Sequence, residues 1–455
     1  MFIKKIGTKK SALISANNSI LRIIQNTKFC ATIRESVFFK YIDILLYALL
    51  ILTLVSCAIS TSGLIGVLAI CFSVLTIIKI FVKKGARIKI SLFDKGILCY
   101  FIFVTMSLFA STNFNLSLMG YIKTFTYILF YMCISHYFQD NKNKILPTFL
   151  IISGLISFES IIAIIQNHAG VLAISGWQDT SNLDPTQVIS RAYGTLQPYN
   201  PNLLAGYLIA GMSSLWCLTV INFFQKNYKR FFIFLGFLLT SIIAVIYSGS
   251  RGGYLGLIMF FALVTISFYY YIQNYTGGFK SIKKRFKNLV LTIICAGLVF
   301  ITTNPAITAR IASIFAFRGD SSISFRMNVY ASSFQMFLDN PFLGIGVGNK
   351  NFREVYGLYM KSGYDALGSY SVPLEIAVES GIFALVSFIT FLALWIKDCI
   401  KTIQNSDLTN KIIIFSLVIS VLMTMTHGLF DTIWFRPQVQ ILFWLNIAFL
   451  NALKN

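Results

Sequence analysis

The chain has 455 residues, of which 56% are hydrophobic, 15% aromatic and only 12% charged, and its mean hydropathy is +0.73. Because soluble domains carry roughly 25% charged residues, this composition excludes an ordinary water-soluble enzyme. The formal net charge of +22 does not indicate nucleic acid as a partner, since the basic residues form short clusters between apolar runs.

Apolar runs long enough to cross a bilayer recur along most of the chain, and a helix satisfies its own backbone polar groups there. We therefore predict an all-α fold, a polytopic transmembrane helical bundle of about 12 spans. The bilayer is the first predicted partner. The candidate spans are 41–59, 64–82, 95–110, 118–137, 145–165, 202–224, 231–247, 254–272, 289–301, 372–396, 412–425 and 439–453.

One membrane domain accounts for nearly the whole chain. Residues 1–40 form a basic segment that we expect in the cytoplasm, and residues 41–455 form the membrane domain. Two connections on the outer side are long, 168–201 and 304–371, and loops of this length usually carry function or are disordered. The second loop, between spans 9 and 10, contains Phe, Tyr and Ile throughout, which predicts an ordered segment with short helices near the membrane surface.

The distribution of lysine and arginine predicts the orientation, because cytoplasmic loops are enriched in both. Most of the 38 basic residues fall on one side of the twelve-span arrangement, the side that holds both termini. We therefore expect a multi-pass protein of the plasma (inner) membrane with both termini cytoplasmic. The opposite, outer side holds Arg191, Arg251, Arg310, Arg318, Arg326, Lys350, Arg353, Lys361 and Arg436.

The eight cysteines are scattered, mostly within apolar runs, and form no Cys-x-x-Cys pair. Neither a disulfide framework nor a metal site is indicated. The histidines likewise offer no set of metal ligands. We expect no cofactor and no metal.

Arginines on the outer side are candidate anion ligands, because a guanidinium can donate two parallel hydrogen bonds to a phosphate or carboxylate. Arg251 lies in Ser-Gly-Ser-Arg-Gly-Gly at 248–253, where glycines allow close approach. Arg326 and Arg191 are also candidate anion ligands, although the residues around them form a weaker pattern. The alternative is an arginine that extends to lipid headgroups or lies in a solvated loop.

A second candidate group follows the eleventh span, in residues 426–437. If the segment stays helical, His427 and Asp431 lie one turn apart on the same face and could form a hydrogen-bonded pair, with Arg436 nearby. The alternative is an interfacial turn held by an ion pair.

Ionisable residues inside predicted spans are costly, so we expect them to face the bundle interior or a wet cavity. Either a structural pairing or a proton relay would account for them. The residues are Lys123, Glu159, Glu375 and Glu379.

Three stretches taken together resemble the O-antigen ligase and polymerase superfamily. They are Ser-Arg-Gly-Gly at 250–253, Asn-Pro-Phe-Leu-Gly-Ile-Gly at 340–346 and Glu-Ser-Gly at 379–381. The resemblance covers roughly residues 200–451. Within the superfamily, Asn-Pro-Asn-Leu-Leu-Ala-Gly-Tyr at 200–207, Ser-Tyr-Ser-Val-Pro-Leu-Glu at 369–375 and residues 427–437 resemble most closely the cyanobacterial bicarbonate-transporter branch.

The resemblance implies two classes of function. Enzymes of the superfamily transfer a glycan from an undecaprenyl-diphosphate carrier at the outer membrane face, without a metal, and by motif Arg251 and Arg326 would bind the diphosphate. Arg191, Asn200, Asn202 and Arg436 are further candidates for substrate binding. The named branch implies instead a transporter of bicarbonate or another form of inorganic carbon, or an accessory to one, with a small anion as the ligand.

The catalytic histidine of those enzymes is replaced. Counting back from Gly381, its position holds Tyr370, and a phenol with a pKa near about 10 is a poor general base at neutral pH. Either a neighbouring group such as His427, with Asp431, substitutes, or the chain does not perform the transfer. A protein that binds a lipid-linked glycan without turning it over is a third possibility.

Two structural expectations separate the classes. A transferase predicts that Arg251 and Arg326 converge on one outward-facing cavity that is open laterally to lipid. A transporter predicts a polar path toward the cytoplasm through Lys123, Glu159 or Glu375.

Overall fold

The computed structural model describes residues 21–86, 89–170, 191–274, 303, 308, 321–361 and 364–454. Within these residues the chain is an all-α polytopic bundle, and ten helices are long and apolar enough to cross a membrane. The predicted fold class is confirmed. The predicted ninth span, 289–301, lies outside the described residues.

The long helices of the first half follow the predicted spans with small shifts at their ends. Two short helices, Lys28–Glu35 and Val37–Lys40, precede the first span. The long helices are α1 (Ile42–Ile59), α2 (Ser62–Val82), α3 (Leu92–Phe109), α4 (Phe114–Asp140), α5 (Ile145–His168), α6 (Pro201–Phe224), α7 (Tyr228–Tyr247) and α8 (Arg251–Asn274).

The second half contains five helices. The first two lie in the predicted loop 304–371, which confirms helical structure there. In chain order the helices are α9 (Ser321–Asp339), α10 (Asn349–Tyr356), α11 (Val372–Gln404), α12 (Leu408–Gly428) and α13 (Pro437–Leu453).

Two helices occupy the centre of the bundle. The apolar window of α6 is buried along its whole length, and every residue of α13 is buried. The helix α6 packs against α5, α7, α8, α12 and α13. Surrounded helices of this kind can be short, because they meet protein rather than lipid on all sides.

One end of the bundle carries the connections that concern function. We call it the loop-rich end: it contains segment 191–200, the turn 248–250, residues 340–348 and residues 429–436. Hydrogen bonds join these connections, for example from Arg191 Nε to the Ser248 carbonyl (2.9 Å) and from Gln438 Nε2 to the Gln197 carbonyl (2.8 Å).

The helix α11 is broken in its first third. Gly381 adopts φ 79° and ψ 177°, outside the helical region. The loop 341–346 fills the gap: the Ile345 N–H donates to the Val378 carbonyl (2.9 Å), and the Ile382 N–H donates to the Pro341 carbonyl (2.8 Å). The Asn-Pro-Phe-Leu-Gly-Ile-Gly and Glu-Ser-Gly stretches are therefore two halves of one contact. The sequence analysis did not find this break.

Candidate functional site

The centre of the candidate site is the buried imidazole of His427, near the end of α12. Its side chain is 0% exposed. The Nε2 atom lies 3.3 Å from Ser250 Oγ. A Cβ added to Gly252 would lie 2.3 Å from His427 Cδ2, and one added to Gly206 would lie 3.2 Å from Nδ1. Glycines on α6 and α8 thus make the room that the ring occupies.

Arg251 lies next to His427 in the structure because its two sequence neighbours contact the imidazole. This arginine is the first residue of α8, between Ser250 and Gly252, both of which contact the imidazole. It is 6% exposed. The Ser250 hydroxyl also accepts from the Gly253 N–H (3.2 Å), which begins the helix and fixes the direction in which the guanidinium leaves the backbone.

Arg326 approaches the same region from α9. Its Nη2 lies 3.5 Å from Asp431 Oδ2, and its Cζ lies 5.7 Å from the centre of the Tyr370 ring. The charges of Arg326 and Asp431 both act on His427. The two arginines predicted to bind a diphosphate therefore flank one histidine.

A small apolar cluster holds α9 in this position. Val329 and Met336 of α9 pack with Ile345, Phe352 and Val378. This cluster ties α9 and α10 to the loop that fills the break in α11. Arg326 lies one turn before Val329, so the fold of residues 321–378 sets its position.

Tyr370 lies beside Arg326 in a strained backbone conformation. Its φ is +51°, which is uncommon for a residue with a side chain. Phe325 packs edge-on against its ring, and the Tyr330 hydroxyl donates to its carbonyl (3.0 Å). Burial raises the pKa of the Tyr370 phenol, the Asp431 charge raises it further, and Arg326 and Arg436 oppose both. The phenol is therefore a hydrogen-bond donor at neutral pH and not a base.

Asp431 interacts with both Arg326 and Arg436. The helix α12 ends at Gly428, and Asp431 lies in the turn that follows. His427 and Asp431 therefore do not form the pair that a continuous helix would allow, and Asp431 pairs with Arg326 instead. Its Oδ1 accepts from the Thr432 N–H (2.8 Å). Burial lowers the pKa of Arg436, whereas Asp431 and Tyr370 raise it, which places Arg436 beside the same carboxylate.

The predicted ligands Arg191, Asn200 and Asn202 form hydrogen bonds with the backbone and with each other, next to the turn that carries Arg251. Arg191 Nη2 donates to Asn202 Oδ1 (2.7 Å), and its Nε holds the Ser248 carbonyl next to the Arg251 turn. The Asn200 side chain accepts from the Asn202 and Leu203 N–H groups at the start of α6. These contacts indicate positioning roles for all three residues.

Two polar residues of α5, whose role the sequence did not reveal, hold the segment that carries Arg191. Glu159, which is 0% exposed, accepts from the Thr195 N–H (2.9 Å) and from the Thr195 hydroxyl. Gln166 Oε1 accepts from the Tyr193 and Gly194 N–H groups at 3.1 and 2.8 Å. The spacing of seven residues, which puts both side chains on one helix face, was the available signal.

The other intramembrane ionisable residues also lie close to the loop-rich end. Glu375 Oε2 accepts from the Thr432 hydroxyl (2.8 Å), and Glu379 Oε2 accepts from the Gly348 N–H (2.9 Å). Both glutamates are buried. Lys123 is exposed and lines a small cavity against Gly348 and Lys350. Glu159, Glu375 and Glu379 thus each accept a hydrogen bond from a residue of the loop-rich end.

Among the described residues, no group of three or more His, Cys, Asp or Glu side chains is arranged to hold a metal ion. The chemistry that this site offers is therefore that of guanidinium groups, a phenol, a carboxylate and an imidazole. Such a set can bind a doubly charged phosphate group and stabilise it as a leaving group.

The family model described as O-antigen ligase matches residues 236–389. The matched region contains Arg251, Arg326 and Tyr370 and ends before His427. It supports the superfamily to which the sequence was likened, and with the membrane helices it supports an integral membrane protein of ligase type. The closer likeness to the bicarbonate-transporter branch has no support from it. No curated protein matches the chain.

Proposed function

We propose that this protein binds a lipid-diphosphate-linked glycan at the outer face of the plasma membrane and transfers the glycan to an acceptor. The observation that carries the proposal is the convergence of Arg251 and Arg326 on the surroundings of His427, from elements that are 75 positions apart in the sequence. The O-antigen ligase match supports the same reaction class.

The arginines act on the leaving group. When the acceptor hydroxyl attacks the anomeric carbon, the new C–O bond forms as the bond from that carbon to the diphosphate oxygen breaks, and the electron pair leaves with the lipid diphosphate. Arg251 and Arg326 stabilise the developing negative charge through charge-assisted hydrogen bonds. Arg436, beside Asp431, extends this positive surface.

The acceptor proton passes to Asp431 in this mechanism. Tyr370 remains protonated and donates to the acceptor or to a diphosphate oxygen. His427 is fully buried beneath the Arg251 turn, so it acts as a positioning residue for Arg251. Replacement of the superfamily histidine by Tyr370 thus moves the acid–base role to the neighbouring carboxylate.

The charge distribution supports the proposed membrane orientation. The loop-rich end carries the site and few basic residues, whereas the opposite end carries Lys79, Lys83, Lys142 and Lys454. The bias of lysine and arginine toward the cytoplasm therefore favours an external site with both termini inside the cell.

The test is a pair of variants in the native cell. Arg251→Ala should accumulate lipid-linked glycan and reduce the surface glycan, whereas Arg353→Ala, an exposed arginine on the same side that pairs with Asp365, should leave both unchanged. Bicarbonate uptake is measured in the same cells. Lost uptake with unchanged glycans would reject the transferase and favour the inorganic-carbon transporter instead.

A further inference from the structure

A second group of cations lies where α4 meets the start of α10. Lys123 and Lys350 line one cavity of about 80 Å³, together with Gly120, Gly348 and Asn349. Since a liquid water molecule occupies about 30 Å³, this space accepts an anion of a few heavy atoms. We call it the two-lysine pocket.

Close backbone packing creates the pocket. A Cβ on Gly120 would lie 2.5 Å from both the Gly348 Cα and the Val347 carbonyl oxygen, and Gly348 has φ +110°. Only glycine at both positions allows this approach. Lys123 lies one turn after Gly120 on α4, and Lys350 lies two residues after Gly348, so the glycine contact brings both lysines to the lining of one cavity.

The charges around the pocket are predominantly positive. Lys350, Arg436 and Glu379 are the charged groups that act on Lys123, and only Glu379 is acidic. Glu379 is already held by the Gly348 N–H. Glu354, one turn beyond Lys350 on α10, turns instead to Asn113 Nδ2 (3.3 Å). Among the described residues, neither Lys123 nor Lys350 forms an ion pair.

Two like charges that face one opening repel each other, and an anion between them removes that repulsion. The start of α10 at Asn349 adds the partial positive charge of a helix N-terminus. Lys123 lies nine residues, or about 13 Å, from the start of α4, a depth from which a lysine extends its ammonium toward the lipid headgroups.

We propose that the two-lysine pocket, which is lined by residues other than Arg251 and Arg326, binds a phosphate group. A phospholipid headgroup and a soluble phosphate ion share this chemistry. The proposal does not depend on glycan transfer, because it concerns a pocket formed by other residues.

The experiment compares the full-length wild-type protein with the Lys123→Gln/Lys350→Gln double variant and with Lys361→Gln, an exposed lysine on the same side, as the control. Native mass spectrometry counts phosphatidylglycerol and phosphatidylcholine molecules retained from mixed micelles. A thermal-unfolding series with inorganic phosphate gives the second readout.

We expect the double variant to bind at least about tenfold more weakly than the wild type and the control, the effect of losing charge-assisted contacts. Loss of one phosphatidylglycerol that inorganic phosphate does not displace identifies a lipid headgroup. Loss of stabilisation by inorganic phosphate identifies a soluble ion. Equal binding of both probes by all three proteins, or equal weakening by Lys361→Gln, overturns the proposal.

Gly120→Ala provides a variant that keeps both lysines. The added methyl group separates α4 from residues 347–348, so we expect it to weaken binding of the same probe. Unchanged binding in this variant would contradict the proposed geometry of the pocket.

Discussion

Ser250 Oγ lies 3.3 Å from His427 Nε2, although 177 positions separate the two residues in the chain. This contact fixes the start of α8 against the end of α12, and Arg251 is the next residue after Ser250. The direction of the arginine therefore depends on a histidine that is fully buried.

The first prediction concerns the fit between His427 and Gly252. Gly252→Ala adds a methyl group at a position where a Cβ would lie 2.3 Å from His427 Cδ2, and overpacking of this kind costs about 1 to 3 kcal/mol. His427→Ala removes the ring. In the double variant the ring atoms are gone and only the His427 carbonyl oxygen, 3.1 Å from that Cβ, stays close, so the two effects on the free energy of unfolding should not add. Thermal unfolding of the four proteins in detergent measures this, and additive losses would contradict the contact.

The second prediction concerns the broken helix. Gly381→Ala should destabilise the protein strongly, because Gly381 has φ +79° and a Cβ there would lie 2.0 Å from the Phe342 carbonyl oxygen. Gly154→Ala is the matched control: Gly154 lies within α5 with open space around its Cα, and alanine in a helix is favoured over glycine by about 0.5 to 1 kcal/mol. Unfolding midpoints should therefore shift in opposite directions. A tolerated Gly381→Ala would mean that α11 is continuous.

The third prediction concerns the attachment of segment 191–195 to α5. Glu159→Leu removes the acceptor of the Thr195 N–H, and an unpaired buried donor costs about 1 to 3 kcal/mol. The Thr195 hydroxyl keeps the Ala58 carbonyl as an acceptor (3.1 Å). Hydrogen exchange of residues 191–200 should increase more than exchange elsewhere. Ser157→Ala on the same helix is the control, because the Ser157 hydroxyl donates only to the Ser153 carbonyl. If residues 191–200 were equally protected from hydrogen exchange in both variants, Glu159 would not position this segment.

The fourth prediction concerns alkaline pH. Burial raises the pKa of Tyr330 to about 12, with Arg326 opposing the shift and Asp431 adding to it, whereas an unfolded tyrosine has a pKa near about 10. Between these values the folded protein binds more protons than the unfolded chain, so its stability should fall as the pH rises from about 10 to about 12. Below about pH 10 the contribution is complete.

Tyr330→Phe tests this directly. It should lower the unfolding midpoint at neutral pH, because the hydrogen bond to the Tyr370 carbonyl contributes about 0.5 to 1.5 kcal/mol. It should also make the alkaline decrease in the midpoint less steep. The same steepness in both proteins would show that Tyr330 does not contribute to the pH dependence.

The fifth prediction separates Tyr370 from Asp431 in catalysis. Tyr370→Phe should reduce the proposed glycan transfer but leave the shape of the pH profile unchanged, because the phenol stays protonated near neutral pH. Asp431→Asn removes the proposed base and should reduce transfer by about 100-fold or more. Transfer by membranes that contain each variant, measured between pH 5 and 9, checks both. A changed alkaline limb in Tyr370→Phe would assign the base role to the phenol.

Sequence patterns predicted most of the bundle, because a span is a local property: a run of apolar residues long enough for the bilayer forms a helix whatever its neighbours are. Ten such helices lie at predicted positions. Patterns also selected Arg251, Arg326 and Asp431 as candidates, since charged residues are rare in a chain of this composition. They could not show that Asp431 pairs with Arg326 and not with His427, because the end of α12 depends on the turn that follows it.

The tertiary structure decided which of these residues meet. Three sets of contacts join distant parts of the chain. Ser250 contacts His427, Glu159 and Gln166 accept hydrogen bonds from segment 193–195, and residues 341–346 insert into the break in α11. Their physical basis is close packing around glycines and the pairing of buried polar groups, and neither leaves a periodic signal in a single sequence. By itself, the sequence determined a membrane bundle and predicted a few charged residues on its outer side; the packing of α6, α8, α9, α11 and α12 decided which of those residues lie together.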